Sequence, residues 1–97
     1  MNVFLVAVEK ELINGYELQD YGINFYGLYK KRKRAEAKAK KIMEEKIKKQ
    51  KLEIIENIEQ TKENNPFYMN DCVILHKGNG FSKASIYWIK ILKLKIK

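Results

Sequence analysis

The chain has 97 residues, with 20 Lys and Arg against 12 Asp and Glu, for a formal net charge of +8. That length fits one domain, residues 1–97, with a single core layer between a sheet and a helix. No run of about 18 apolar residues offers a membrane-spanning helix. The single cysteine excludes an internal disulfide and fits a reducing, cytoplasmic setting.

The apolar stretch Val3 to Val8 has no basic segment before it and passes into charge at Glu9. It reads as a strand, not as a signal peptide. All six of its residues are apolar, so both faces of the strand are covered and its place is central in a sheet. Asn14-Gly15 follows as a hairpin signal, because a type I′ turn needs positive φ at both central residues. The return strand is expected in two pieces, Tyr16 to Gln19 and Gly22 to Tyr29, with a bulge or bend at Asp20 to Gly22. Ile23, Phe25 and Tyr29 are then expected on one side, and Tyr26 and Leu28 on the other.

Lys30 to Lys51 carries twelve basic residues against three acidic ones, with no Gly or Pro. Ala35, Ala39, Ile42, Met43 and Ile47 form an apolar helical stripe, and Glu36–Lys40, Glu44–Lys48 and Glu45–Lys49 are favourable i,i+4 pairs. No Ser, Thr, Asp or Asn caps its start. Leu52, Ile54, Ile55 and Ile58 resume the stripe, and Asn64-Asn65-Pro66 stops it. A continuous helix from about Arg32 to Glu63 would be roughly 45 Å long, against about 25 Å for a strand of seven or eight residues. The apolar gap at Lys48 to Lys51 marks the alternative, a break near Lys51. Bases lead and acids (Glu53, Glu56, Glu59, Glu63) follow, against the helix dipole.

After Pro66, Phe67, Tyr68 and Met69 as a linker, Cys72 to Leu75 reads as a strand. Gly78-Asn79-Gly80 reads as a second hairpin turn, and Lys83 to Ile96 as a long last strand. Ile86, Trp88, Leu92, Leu94 and Ile96 share one face of it, and Tyr87, Ile89 and Ile91 the other. The alternation at its end predicts one buried and one wet face. The expected fold is α+β: ββαββ, an antiparallel four-stranded sheet from two hairpins, with one long helix, continuous or broken, on one face.

The residue types for catalysis are sparse, and an enzyme is not expected. Cys72 and His76 lie four apart on one strand, roughly 13 Å, too far for a nucleophile–base pair. One Cys and one His give no zinc set, and His76 beside a turn is expected to be exposed. Lys77 to Lys83 lacks the spacing of a phosphate loop. No cofactor or metal is implied.

Binding features are better supplied. Lys31, Arg32, Lys33, Arg34, Lys38, Lys41, Lys48 and Lys49 form a candidate surface for nucleic acid or another acidic partner, including a nucleoprotein complex. Tyr26, Tyr87, Trp88, Leu52, Ile55 and Ile58 form a candidate protein interface. A sheet face left open by one helix would hold aromatics beside lysines, as single-strand binders do. Two helices paired antiparallel would set Lys46, Lys48 and Lys49 near Glu53, Glu56 and Glu59 and cover Leu52, Ile55 and Ile58, which points to a homodimer.

Phe25-Tyr26-Gly27-Leu28-Tyr29, followed by a helix with Ala35 and Ala39, resembles small α+β accessory proteins of phages and mobile elements, over about residues 22–43. The resemblance implies a compact protein that acts by binding. Its alternative to a nucleic-acid module is an inhibitor of a bacterial defence protein, of the anti-CRISPR type.

Overall fold

The computed structural model describes residues 1–14, 17–54, 66–67, 71–78 and 83–96. Among these the chain forms β1 (Asn2–Asn14), β2 (Glu17–Tyr29), α1 (Arg32–Gln50), β3 (Glu53–Ile54), β4 (Cys72–Gly78) and β5 (Lys83–Lys95). The fold is α+β, with one helix packed on an antiparallel sheet. The described strands run in the order β2-β1-β5-β4-β3. This is one strand more than the expected four, because two residues after the helix pair with β4, Glu53 with His76 and Ile54 with Leu75.

The apolar run at the start of β1 takes the central place expected of it. β1 pairs with β2 on one side and, over its whole length, with β5 on the other, from Asn2↔Lys95 to Asn14↔Lys83. Both hairpins close antiparallel, at Asn14↔Glu17 and at Gly78↔Ala84.

One face of the sheet meets the helix. Val6 and Val8 of β1, Val73 and Leu75 of β4, and Tyr87, Ile89 and Ile91 of β5 pack against Ala35, Ala39, Ile42 and Met43. Ala35 and Ala39 are fully buried, as are Val6 and Ile89 beneath the helix. The missing side-chain bulk at the alanines lets the helix backbone approach the sheet, and each large aliphatic buried there contributes about 1.5–3 kcal/mol. Phe67, expected in a linker, is instead fully buried in this core.

The helix is shorter and the strands longer than the sequence suggested. Lys51 adopts a left-handed conformation, φ 53°, and ends the helix at Gln50. The continuous helix to Glu63 is therefore corrected, and the break near Lys51 is what occurs. Nineteen residues make a helix of about 28 Å, while a thirteen-residue strand spans about 43 Å. The helix lies within its sheet and does not overhang it. Leu52 drops into the core at 3% exposure, so it is no part of an exposed interface. The antiparallel helix pairing loses its premise, because Glu53 sits on a strand; Ile55, Ile58, Glu56 and Glu59 lie outside the described residues.

β2 is one continuous strand with two bulges. Its register against β1 shifts between Val6 and Ala7, leaving Tyr26 unmatched, and between Leu12 and Ile13, leaving Gln19 unmatched. The expected break at Asp20 to Gly22 thus becomes a bulge one residue earlier. A one-residue bulge reverses the side to which the following residues point. Leu28 therefore joins Ile23 and Phe25 on the face away from the helix, and Tyr29 turns toward the core, correcting the expected grouping.

Gly27, next to the Tyr26 bulge, has φ +149°, and a Cβ there would stand 3.1 Å from the Tyr29 ring. Gly22 has open space around its Cα. Gly27→Ala is expected to destabilise the fold by about 1–3 kcal/mol, whereas Gly22→Ala should stay within about 0.5 kcal/mol. Urea unfolding of both variants checks this; equal midpoints would mean that the bulge does not depend on Gly27.

Candidate nucleic-acid interface

The apolar stripe of α1 fixes which side chains point outward. With Ala35, Ala39, Ile42 and Met43 buried, Lys33, Arg34, Lys40, Lys41, Lys48 and Lys49 are exposed, Lys38 is half-buried, and Glu44 and Glu45 are the exposed acids among them. Arg34, Lys41 and Lys48 recur every seven residues, so they form a line along the outer face with about 10.5 Å between successive members. Lys30 and Lys31 extend this field past the start of the helix, and both are exposed. No acidic residue lies in the first turn, and Lys31 at the N-cap makes no side-chain capping bond. The helix dipole and the lysines therefore add up to one positive end.

Seven of the eight residues expected to contact an acidic partner lie on this surface, and Arg32 does not. Its Nε donates to Glu36 Oε1 at 2.7 Å, and its Nη2 donates to the Phe67 carbonyl at 2.9 Å and to Asp71. Glu36 is buried at 7% exposure. Arg32 thus ties the first helical turn to Phe67 and to Asp71, the residue before β4. Burial works against its charge, but the hydrogen bonds with Asp71 and Glu36 outweigh it and hold the guanidinium above its ordinary value. The helical period alone places Arg32 within the charged run; only the fold shows that it faces Glu36 and Asp71. Lys30 and Lys40, outside the expected set, also stand on the exposed surface. The signal for Lys40 is its spacing, seven residues after Lys33 on the helix.

The residues expected at a protein interface are scattered. Tyr87 is buried under the helix, with Lys46 Nζ 4.2 Å from the centre of its ring. It is a core residue whose parity on β5 turns it toward α1. Tyr26 is exposed beside the helix, where it lines a shallow depression with Ile42, Lys46 and Lys49. Trp88 lies on the opposite sheet face, half-buried. His76 is also half-buried on that face, because β4 continues to Gly78 and carries it into the sheet. Of the lysines expected beside the aromatics of the open face, one is there among the described residues, 5.7 Å from the centre of the Trp88 ring. Lys90 is the lysine that β5 places among them, and its Nζ is bound to Glu9 Oε1 at 2.8 Å. That bond, against some burial, raises the Lys90 pKa.

Among the described residues, no group of three or more His, Cys, Asp or Glu could hold a metal ion, and no helix is long and apolar enough to cross a membrane. Compared with protein-family models, curated proteins and solved structures, the chain matches none.

Two consequences can be measured. Arg32→Ala should destabilise the protein by about 2 kcal/mol, since it takes the bridging cation away from the buried Glu36 carboxylate, while Arg34→Ala should change stability by less than about 0.5 kcal/mol. Similar effects of the two in chemical denaturation would mean that Arg32 is as solvated as its neighbours. Lys46 is the second case. Burial, then repulsion from Lys10, lowers its pKa. Because the folded value is depressed, the unfolded chain binds more protons in that window, and the Lys46 contribution to stability rises as pH climbs through the folded value. NMR titration should find the Lys46 ammonium below ordinary lysines and should find it raised in Lys10→Gln; no movement would remove Lys10 as a cause.

Proposed function

We propose that this protein is a non-enzymatic binding module that docks nucleic acid, alone or within a nucleoprotein complex, on the outer face of α1. The observation that carries the reading is the excess of positive charge: Lys33, Arg34, Lys38, Lys40, Lys41, Lys48 and Lys49 share the outer side of one helix with only two exposed acids, Glu44 and Glu45, among them, and Lys30 and Lys31 stand beside its N-terminal end. A rigid helix holds these ammonium and guanidinium groups at fixed spacing, so counterions released from phosphates give affinity without ordering a mobile segment. A helix of this diameter also fits the major groove of a duplex. Stacking of single-stranded bases on the open sheet face is less well supported, since Lys90 there is already engaged by Glu9.

The test is fluorescence anisotropy with a short labelled duplex and a single strand across roughly 50 to 200 mM salt. Binding should weaken steeply with salt. The triple variant Arg34→Glu, Lys41→Glu, Lys48→Glu should reduce affinity by at least about tenfold and flatten the salt slope by about 0.9 for each phosphate that is no longer neutralised. Arg32 is left intact so that the fold is preserved. No binding at low salt, or an affinity unchanged by the triple variant, would overturn the reading.

A further inference from the structure

The side of the sheet that the helix leaves open is built as a contact surface. The register sets its residues in rows across β2, β1, β5 and β4. Leu28 stands beside Leu5 and Leu92; Phe25 beside Ala7, Lys90 and Cys72; Ile23 beside Glu9, Trp88 and Ile74; Tyr21 beside Glu11, Ile86 and His76. Leu18 and Ile13 extend the face at one end, and Leu94 extends it at the other. Phe25 and Leu28 are 62% and 61% exposed. Leu18, Tyr21, Ile23, Leu92 and Leu94 are exposed as well. Contiguous apolar surface of this kind is rare on monomers and marks an interaction site.

The two bulges in β2 are what assemble it. In an uninterrupted strand Leu18 and Leu28 would point to the side opposite Tyr21, Ile23 and Phe25, since parity decides the face. The unmatched Gln19 and Tyr26 each reverse the parity, so all five large apolar residues emerge on the open face. Two bulges that together add exposed apolar residues to one face work against the solubility of a lone subunit. They favour a subunit whose face is covered.

We infer that a second copy of this chain covers the face, sheet against sheet about a two-fold axis. Size is the first argument. Three thirteen-residue strands and the seven-residue β4 present about 700 Å² of sheet plane at the usual strand rise and spacing. A stable interface buries about 800 Å² on each partner. Charge is the second. Across these rows the face carries Glu9, Glu11 and Lys90, with Glu9 and Lys90 joined at 2.8 Å, and Glu53 stands at its β3 edge beside His76. It is mildly acidic on a chain of net charge +8, so it suits neither a polyanion nor an anionic lipid surface. A second copy brings the same neutral pair to the same central rows, and desolvating these pairs fixes the register of the two sheets. The third argument is repulsion between copies. Face-to-face packing puts both basic helices outermost with two sheets between them, about 30 Å apart if each layer is about 10 Å thick. The Debye length is about 8 Å at physiological salt, so the two positive fields barely meet. The dimer does not depend on what the helices bind.

Light scattering and sedimentation of the full chain over a concentration series test this. The expected result is a dimer mass that persists in molar salt. Leu92→Glu, on β5 two strands in from the β2 edge, and Phe25→Glu, on β2, should each weaken dimerisation at least about 100-fold with the circular-dichroism melt preserved; Lys41→Glu on the helix should leave it unchanged. Were either face variant to misfold, cross-linking of Leu92→Cys in a Cys72→Ser background would still report whether two copies of β5 meet. A chain that stays monomeric at high concentration overturns the proposal, and its capture by neutral detergent micelles or by an apolar peptide would then name the other occupant. A dimer broken by Phe25→Glu but not by Leu92→Glu would be joined along the β2 edge, and that too overturns the face-to-face arrangement.

Discussion

The protein depends on the packing of one helix against the middle of its sheet. Ala35 and Ala39 meet Val6, Ile89 and Ile91 with all or nearly all of their surface withdrawn from solvent. In a chain this short there is little further apolar surface to bury on that side, so the contact has to be close. Small residues on the helix and branched ones on the strands achieve that, and the buried stripe then fixes the rotation of α1. The outward line of Arg34, Lys41 and Lys48 follows from the same rotation. The candidate site is thus a by-product of core packing: the residues that hold the helix down are the reason the lysines stand up.

Among the described residues, the other face of the sheet has no layer packed on it. A second helix would cover it, but among the described residues there is one helix only. The sheet therefore has two chemically distinct sides, a charged helical side and an apolar strand side. The Glu9–Lys90 pair sits in the middle of the apolar side and resists burial unless both charges go together. Separation of the two surfaces by the thickness of the domain lets a basic surface and an apolar one coexist in a chain this small, because neither has to compromise its composition for the other.

Arg32 shows how a charged run can divide between structure and surface. Its position groups it with its basic neighbours, yet it bridges Glu36, Phe67 and Asp71. Asp71 itself is at φ 52°, a left-handed conformation that aspartate tolerates better than most residues. The bridge holds Asp71, just before β4, and the buried Phe67 against the start of the helix. Lys31, Lys33 and Arg34 around it are exposed and remain with solvent.

The features legible from the amino acids alone were the periodic ones. Val3 to Val8, apolar on both sides, required a central strand. Alternation required Tyr87, Ile89 and Ile91 to share a face, and the 3.6-residue period required the stripe that buries Ala35, Ala39, Ile42 and Met43. Asn14-Gly15 placed a hairpin where β1 and β2 turn back on each other. Local geometry and burial on one side are enough to produce all of these. The remaining features are non-local. The apolar gap at Lys48 to Lys51 marked a break there as one of two alternatives, but the choice between a continuous and a broken helix depends on Leu52 and Ile54 finding places in the core and beside β4. The bulges at Gln19 and Tyr26 exist only relative to β1, since a register is a relation between two strands. Tyr87 reads as an interface aromatic until α1 covers it, and Arg32 reads as a surface charge until Asp71 arrives from 39 residues away. Each of these outcomes is set by a partner distant along the chain, and the pattern of a single segment carries no record of its partner.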